Sequence, residues 1–361
     1  MNSKNTAQQK LEYYKEKFEP VFVEYFNRIK KEKKYPSASQ LVPESLTAIQ
    51  KLSLRGGKRQ RVAFLYESFH LFSSKKEDSF LKECAISIEL LQTHLLIHDD
   101  IIDNSPTRRG GPTVHIELAN ILSEKKLDIH KAQALAILSG DITAYLAIDV
   151  LLENNDISAG QLKKIIGLQI SAGLDTFLGQ IFDIERDMSL EFSENDLVIL
   201  ADFKAVRSST LIPMLIGLVL SYTDDASHCA SIDRYALNIG IAVQIQDDIL
   251  GLFGNPNVTG KSTTSDISEG KSTLLIRSVL ERCSKKDILF IESVLGKKVS
   301  NDDVEKVKKL IINSGSYDYV VDVAKKYAMK ATDEVKKWHD SNQDSRQFFN
   351  DIAMWAINRK L

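Results

Sequence analysis

Three aspartates share the run Asp99-Asp100-Ile101-Ile102-Asp103, Arg108 and Arg109 follow at once, and a second pair, Asp247-Asp248, lies far downstream. Carboxylates gathered like this hold hard divalent cations, and guanidinium groups beside them imply that the cations carry a polyanion. The chemistry indicated is that of diphosphates. Upstream, Arg55-Gly56-Gly57-Lys58-Arg59-Gln60-Arg61 joins a flexible turn to four cations, just ahead of a helix expected to begin near Arg61. Glycines let backbone approach an anion, and an emerging helix N-terminus favours negative charge, so a second, metal-free diphosphate fits here. A G-G-K sequence alone is weak evidence, since a solvated basic turn reads the same way.

The run Glu89 to Asp103 reads as a buried helix whose last turn carries the acids. Asp99 and Asp103, four apart, share one face of that turn. Free carbonyls at a helix C-terminus add to the field felt by a cation. An ordinary acidic helix end is the competing reading of this motif alone. At the second site the position four after Asp247 is Gly251, so a ligand is missing there. The first cluster therefore takes the larger share of ligation, Asp247 a single bridging role, and Asp248 a supporting one through water. Mg²⁺ suits all-oxygen ligands and binds through a few carboxylates plus substrate phosphates, whereas zinc at these acids lacks Cys or His ligands.

The elements that position these groups are helices. Of 361 residues 43% are hydrophobic and 27% charged, enough for a sizeable core and unlike a disordered chain. No proline interrupts the sequence between Pro112 and Pro213, while apolar residues recur at helical spacing. Tyr317, Val320, Val321, Ala324, Ala328, Ala331 and Val335 mark one such stripe. Turn-prone clusters from Pro36 to Ser345 predict about ten or more helices. An all-α single domain over residues 1–361 is expected, with the Gly254 to Gly270 stretch as a flap. A net charge of −2 argues against nucleic acid as a partner. Three widely spaced cysteines and a polar N-terminus without a signal peptide predict a cytoplasmic protein. The longest strongly apolar run, Leu211 to Leu220, falls short of the ~20 residues that a membrane helix needs, so no span is expected.

Taken in order, GGKRQR, HDDIIDNSPTRRGGPTVH, GQIFDIE, QIQDDILGLFGN and GKSTTSDISEGK resemble the motifs of the trans-isoprenyl diphosphate synthases, the polyprenyl synthetase family. They are spread over most of the chain. The resemblance implies an all-α bundle around a deep central cavity, a homodimer, and two or three Mg²⁺ ions per active site. Carried over by position, Asp99, Asp103 and Asp247 are the Mg²⁺ ligands, and Arg108, Lys204, Gln244, Lys261 and Lys271 serve the allylic diphosphate. Lys58, Arg61, Gln92, Arg109 and Arg359 match the isopentenyl diphosphate positions. Gln180 and Asp183 match polar cavity positions. Three departures stand out: Ala205 where a Thr commonly follows the Lys, Gly251 for a further Asp, and Val243 where an aromatic residue often precedes the Gln.

The implied reaction is head-to-tail condensation. An allylic diphosphate ionises, isopentenyl diphosphate attacks the cation, and a proton leaves. Residues four, five and eight before Asp99, namely Leu95, His94 and Leu91, are expected to wall the growing chain. With no aromatic residue at the first two levels, the expected product is geranylgeranyl diphosphate, with farnesyl diphosphate as runner-up. His94 also reads as a core histidine bonded to a nearby carbonyl. A terpene cyclase has no use for the second diphosphate site. A di-iron bundle needs two inward Glu-x-x-His motifs, and only Glu67 to His70 fits. A non-catalytic subunit of a heteromeric synthase tends to lose an acidic motif, and both survive here.

Overall fold

The computed structural model describes residues 6–32, 39–73, 75, 79–123, 128–187, 192–223, 225–254, 265–338 and 342–357. Lys261, most of the expected flap and Arg359 lie outside them. Among the described residues the fold is all-α, as expected, apart from a two-stranded hairpin of Thr107–Arg108 (β1) and Gly111–Pro112 (β2).

Residues 1–173, 208–229 and 342–345 make one compact unit. Its helices are α1 (Thr6–Glu32), α2 (Leu41–Leu54), α3 (Gln60–Phe72), α4 (Lys82–Ile102), α5 (Val114–Ser123), α6 (Ile129–Leu152), the first half of α7 (Ala159–Asp187) and α9 (Ile212–Leu220). Helix α4 packs most extensively on α6, and α3 on α9. Close approach in the second pair depends on Gly217, where a Cβ would lie 2.5 Å from the Leu65 carbonyl oxygen. Phe22, Phe26, Phe64, Phe69 and Leu65 are fully buried and anchor the core by removing large apolar surfaces from water. Glu67 is bound by Lys10 Nζ at 2.7 Å and by the Tyr14 hydroxyl at 2.7 Å. That environment already satisfies its carboxylate, which removes support from a di-iron reading.

Residues 174–207, 230–341 and 346–361 make the second unit. It holds the rest of α7, α8 (Glu194–Ala201), most of α10 (Ala226–Phe253), α11 (Ser265–Ser268), α12 (Leu274–Arg282), α13 (Lys285–Val294), α14 (Asn301–Asn313), α15 (Ser316–Lys336) and α16 (Gln343–Ile357). The expected stripe on α15 is present, with Val320, Ala324, Ala328, Ala331 and Val335 buried. The N-termini of α8, α12, α13 and α14 carry Ser or Thr caps at Ser193, Thr273, Ser284 and Ser300, satisfying otherwise orphaned N–H groups. Residues Asp202–Leu211 adopt π-helical geometry, a rare form that often marks functional positions.

The stretches 129–152, 159–186, 194–220 and 226–253 are long and apolar enough to cross a membrane by length and composition alone. A search for unbroken apolar runs misses such stretches, because isolated polar residues break a run but leave the average hydropathy of a long helix high.

Candidate active site

Helix α4 delivers the acids. The Asp103 N–H donates to the Asp99 carbonyl at 2.9 Å and the Ser105 N–H to the Asp100 carbonyl at 2.9 Å, which closes the helix at Ile102 and leaves Asp103 as its C-cap. Arg108 holds two of the carboxylates, through Nε to Asp100 Oδ1 at 2.5 Å and Nη2 to Asp99 Oδ2 at 2.8 Å. Asp100 is wholly buried, and its Oδ2 has no hydrogen-bond donor. Burial pushes its carboxyl up to about 6, against the pull of Arg108. An orphaned buried oxygen, neighbouring oxygen donors and a helix C-terminus suit a hard cation such as Mg²⁺.

The basic turn is organised by Arg59, which sequence reasoning counted only as one cation among four. It takes left-handed backbone geometry (φ 47°) immediately before α3, an uncommon conformation for a residue with a side chain. Its guanidinium is almost fully buried, at 2% exposure. Arg59 Nε donates to Glu19 at 2.8 Å, Nη2 to the Ser53 carbonyl at 2.8 Å, and Nη1 to Glu89 of α4. Phe18 and Phe22 lie under the same guanidinium. Arg55 is also structural, with Nη1 donating to the Pro112 carbonyl at 2.6 Å and the Arg108 carbonyl at 3.2 Å.

Lys58 and Arg61 are thereby presented for another role. Lys58 is exposed. Arg61 Nε is buried without a hydrogen-bond acceptor, and burial pushes the guanidinium down to about 10, with Glu89 opposing and Arg109 and Arg59 adding repulsion. It remains charged at neutral pH. A crowded guanidinium lacking an acceptor is a site for an anion.

The hairpin turns between Arg108 and Gly111 through Arg109 (φ 52°) and Gly110 (φ 74°). Two positive φ angles define a type I′ corner. Its two arginines part company: Arg108 goes to the acids, while Arg109 Nη1 reaches the Arg55 and Gly56 carbonyls at 3.4 and 3.5 Å. At Gly57 a Cβ would meet the Arg109 guanidinium at 3.4 Å.

Among the remaining predicted residues on α4, Gln92 and Leu91 are half-buried and Leu95 is buried. His94 is buried and bonded through Nδ1 to the Gly140 carbonyl at 2.9 Å, as the core-histidine alternative anticipated. Burial pushes it down to about 4.

In the second unit Lys204 pairs with Asp183, which also binds Arg186 at 2.8 Å. Lys204 reaches Asp183 because its backbone lies against Gly179, where a Cβ would sit 2.5 Å from the Lys204 nitrogen. Gln180 is buried, with Nε2 lacking an acceptor. Gln244 Nε2 donates to Asp248 Oδ1 at 2.9 Å. Asp247, the residue before Asp248 on α10, is exposed. Lys271 pairs with Glu269 at 2.6 Å.

This pairing of an acid cluster with a guanidinium-held turn lies within the match to the polyprenyl synthetase family, which covers residues 43–312; the chain belongs to that family. It is 30% identical to a geranylgeranyl diphosphate synthase of Saccharolobus solfataricus over 84% of this chain and 87% of the relative. It is 28% identical to a geranylfarnesyl diphosphate synthase of Aeropyrum pernix over 84% of this chain and 91% of the relative. A crystal structure of a geranylgeranyl pyrophosphate synthase from Corynebacterium glutamicum, complexed with isoprenyl diphosphate and magnesium, superposes with a TM-score of 0.89 at 25% identity, over 97% of this chain and 99% of the other.

Two predictions arise. Arg59→Met strands Glu89 in the core and should cost about 3–5 kcal/mol in urea unfolding, whereas a double change with Glu89→Leu should recover most of it; a neutral single variant contradicts the hub. For His94 the folded value of about 4 lies below the unfolded 6.5, so the unfolded chain takes up a proton first. The stability held above pH 6.5 is then lost as pH falls toward 4, by an amount on the order of 3 kcal/mol. His94→Gln should flatten that acid limb, read as the urea midpoint at pH 7.5 and pH 5.

Proposed function

We propose that the chain condenses isopentenyl diphosphate with an allylic diphosphate and makes geranylgeranyl diphosphate. The observation that carries this reading is the division of labour at the hairpin: Arg108 bonds to Asp99 and Asp100, while Arg109 lies on the turn that presents Lys58 and Arg61. One neighbourhood thus offers a carboxylate site for a metal-borne diphosphate and a guanidinium site for a metal-free one. The relatives' names support elongation of a prenyl chain, and twenty carbons as its product. Residues 1–361 act as one polyprenyl synthetase domain in this reading.

Asp99 and Asp103 would hold Mg²⁺, and Asp247 is assigned the same ligand role. When bound, the metal neutralises charge that builds on the departing diphosphate. The side chains do the rest. Arg108, Lys204 and Lys271, with Lys261 and Gln244, bind the allylic diphosphate oxygens and stabilise their growing charge as the C–O bond ionises. Lys58, Arg61, Gln92 and Arg109, with Arg359, orient isopentenyl diphosphate so that its double bond attacks the allylic cation. The proton lost from the condensed product passes to the released diphosphate. Gln180 and Asp183 serve as polar cavity residues, with Asp183 setting the position of Lys204 through their ion pair. Leu91, His94 and Leu95 form the wall that limits product length.

We also assign a homodimer and a cytoplasmic location. Ile137, Leu138, Ile142 and Tyr145 of α6 are exposed, Tyr145 at 79%. An apolar surface of this kind marks a protein interface. A second copy of the chain fits the family, and the apolar helices then serve protein packing, with no bilayer span and no nucleic-acid partner. Sedimentation velocity should give a dimer at micromolar concentration; a monomer there contradicts this assignment.

The kinetic test separates the two diphosphates. Asp103→Ala should lower kcat at least about a hundredfold with circular dichroism unchanged, and Lys58→Ala should raise KM for isopentenyl diphosphate at least about tenfold while leaving KM for the allylic starter nearly unchanged. Equal effects of Lys58→Ala on both substrates would sink the division.

A further inference from the structure

We propose that His94, His98 and Asp141 form a binding site for a late first-row divalent cation of the zinc class, distinct from the aspartate cluster. His94 and His98 are four residues apart on α4, so their rings emerge on one face. Asp141 comes from α6, the helix that packs most closely against α4. One ligand atom from each of the three residues lies within 4.8 Å of the others.

The local chemistry is that of an imidazole metal site. His94 Nδ1 can bond to the Gly140 carbonyl only by donating, which fixes the ring tautomer and puts the lone pair able to bind a metal on Nε2. A backbone carbonyl in that position is the usual second partner of a metal-bound histidine. His98 Nε2 is buried without a hydrogen-bond partner and lies 3.5 Å from Asp141 Oδ1. Two ligands held at 2.0–2.1 Å in a tetrahedron are roughly 3.4 Å apart, so this pair already has the separation that zinc requires. Rotation of the Asp141 carboxylate, 50% exposed, can close the remaining distance.

Gly140 makes the approach possible. A Cβ there would lie 2.1 Å from His98 Nε2, so any other residue would displace the ring. The His94 imidazole is neutral at physiological pH because of its burial, and binds metal without first losing a proton. Two nitrogens and one oxygen favour zinc, nickel or copper over Mg²⁺, which prefers oxygen. The site draws on none of the residues assigned to Mg²⁺ and stands whether or not the proposed condensation is correct.

Full-length, chelator-treated protein should be titrated with Zn²⁺ by calorimetry, with Mg²⁺ in millimolar excess to fill oxygen sites. The expected result is one Zn²⁺ per chain, at least about tenfold weaker in Asp141→Asn and in His94→Gln and unchanged in Asp103→Asn. Histidine side-chain ¹H–¹⁵N spectra of the unmutated protein give an independent reading, in which the His94 and His98 ring signals should shift on adding Zn²⁺. Unmoved ring signals would overturn the site, as would zinc affinity that follows Asp103→Asn in place of Asp141→Asn.

Discussion

The buried contact of Arg59 with Glu89 fixes the geometry on which the candidate site depends. Glu89 lies ten residues before Asp99 on the same helix, so a guanidinium anchored there ties the start of α3 to the element that carries the acids. Such a pair is costly to desolvate, and it is satisfied here by further bonds to Glu19 and Ser53 and by aromatic faces beneath it. Its value is positional. Buried charge pairs seldom add much net stability, yet breaking one leaves an uncompensated ion in the core. Left-handed backbone at Arg59 then turns Lys58 outward and starts the helix that carries Arg61.

The hairpin completes the arrangement. Arg108 ends strand β1 while Arg109 sits at the corner in left-handed geometry, and the change of backbone direction between them sends the two side chains to different destinations. Arg55 secures the hairpin to the turn through two backbone carbonyls. Acids and cations therefore stay apart except through Arg108, so a polyanion in the basic turn need not displace the groups reserved for a metal-borne one. Arg61 keeps an unsatisfied donor, and Asp100 an unsatisfied acceptor. Both belong to the buried side-chain atoms that, among the described residues, have no hydrogen-bond partner within the protein.

Much of this was legible in the sequence. Helical periodicity gave the all-α fold and the α15 stripe, and acid spacing located the end of α4 correctly because Asp99 and Asp103 fall one turn apart. What the spacing could not reveal was three-dimensional pairing. Arg59 and Arg55 looked like neighbours of Lys58 in function, yet Glu89, Glu19 and Pro112, all remote in sequence, claim them. Similarly, His94 and His98 carry a visible four-residue spacing, but the third ligand comes from Asp141, more than forty positions away. Membrane-length helices were missed because a search for unbroken apolar runs discounts helices with scattered polar residues. Lys204 and Asp183 were both named as site residues, while their ion pair depends on a glycine contact that no local pattern announces.

The central claim is that two diphosphates bind by different physics, one through carboxylate-held metal and one through guanidinium and ammonium groups alone. Calorimetric titration of isopentenyl diphosphate and of an allylic diphosphate into the protein, each with and without a chelator, tests this most directly. Isopentenyl diphosphate should bind with little change when divalent metal is removed, while allylic diphosphate binding should fall sharply. Loss of isopentenyl diphosphate binding in the chelator, or allylic binding indifferent to it, would contradict the account.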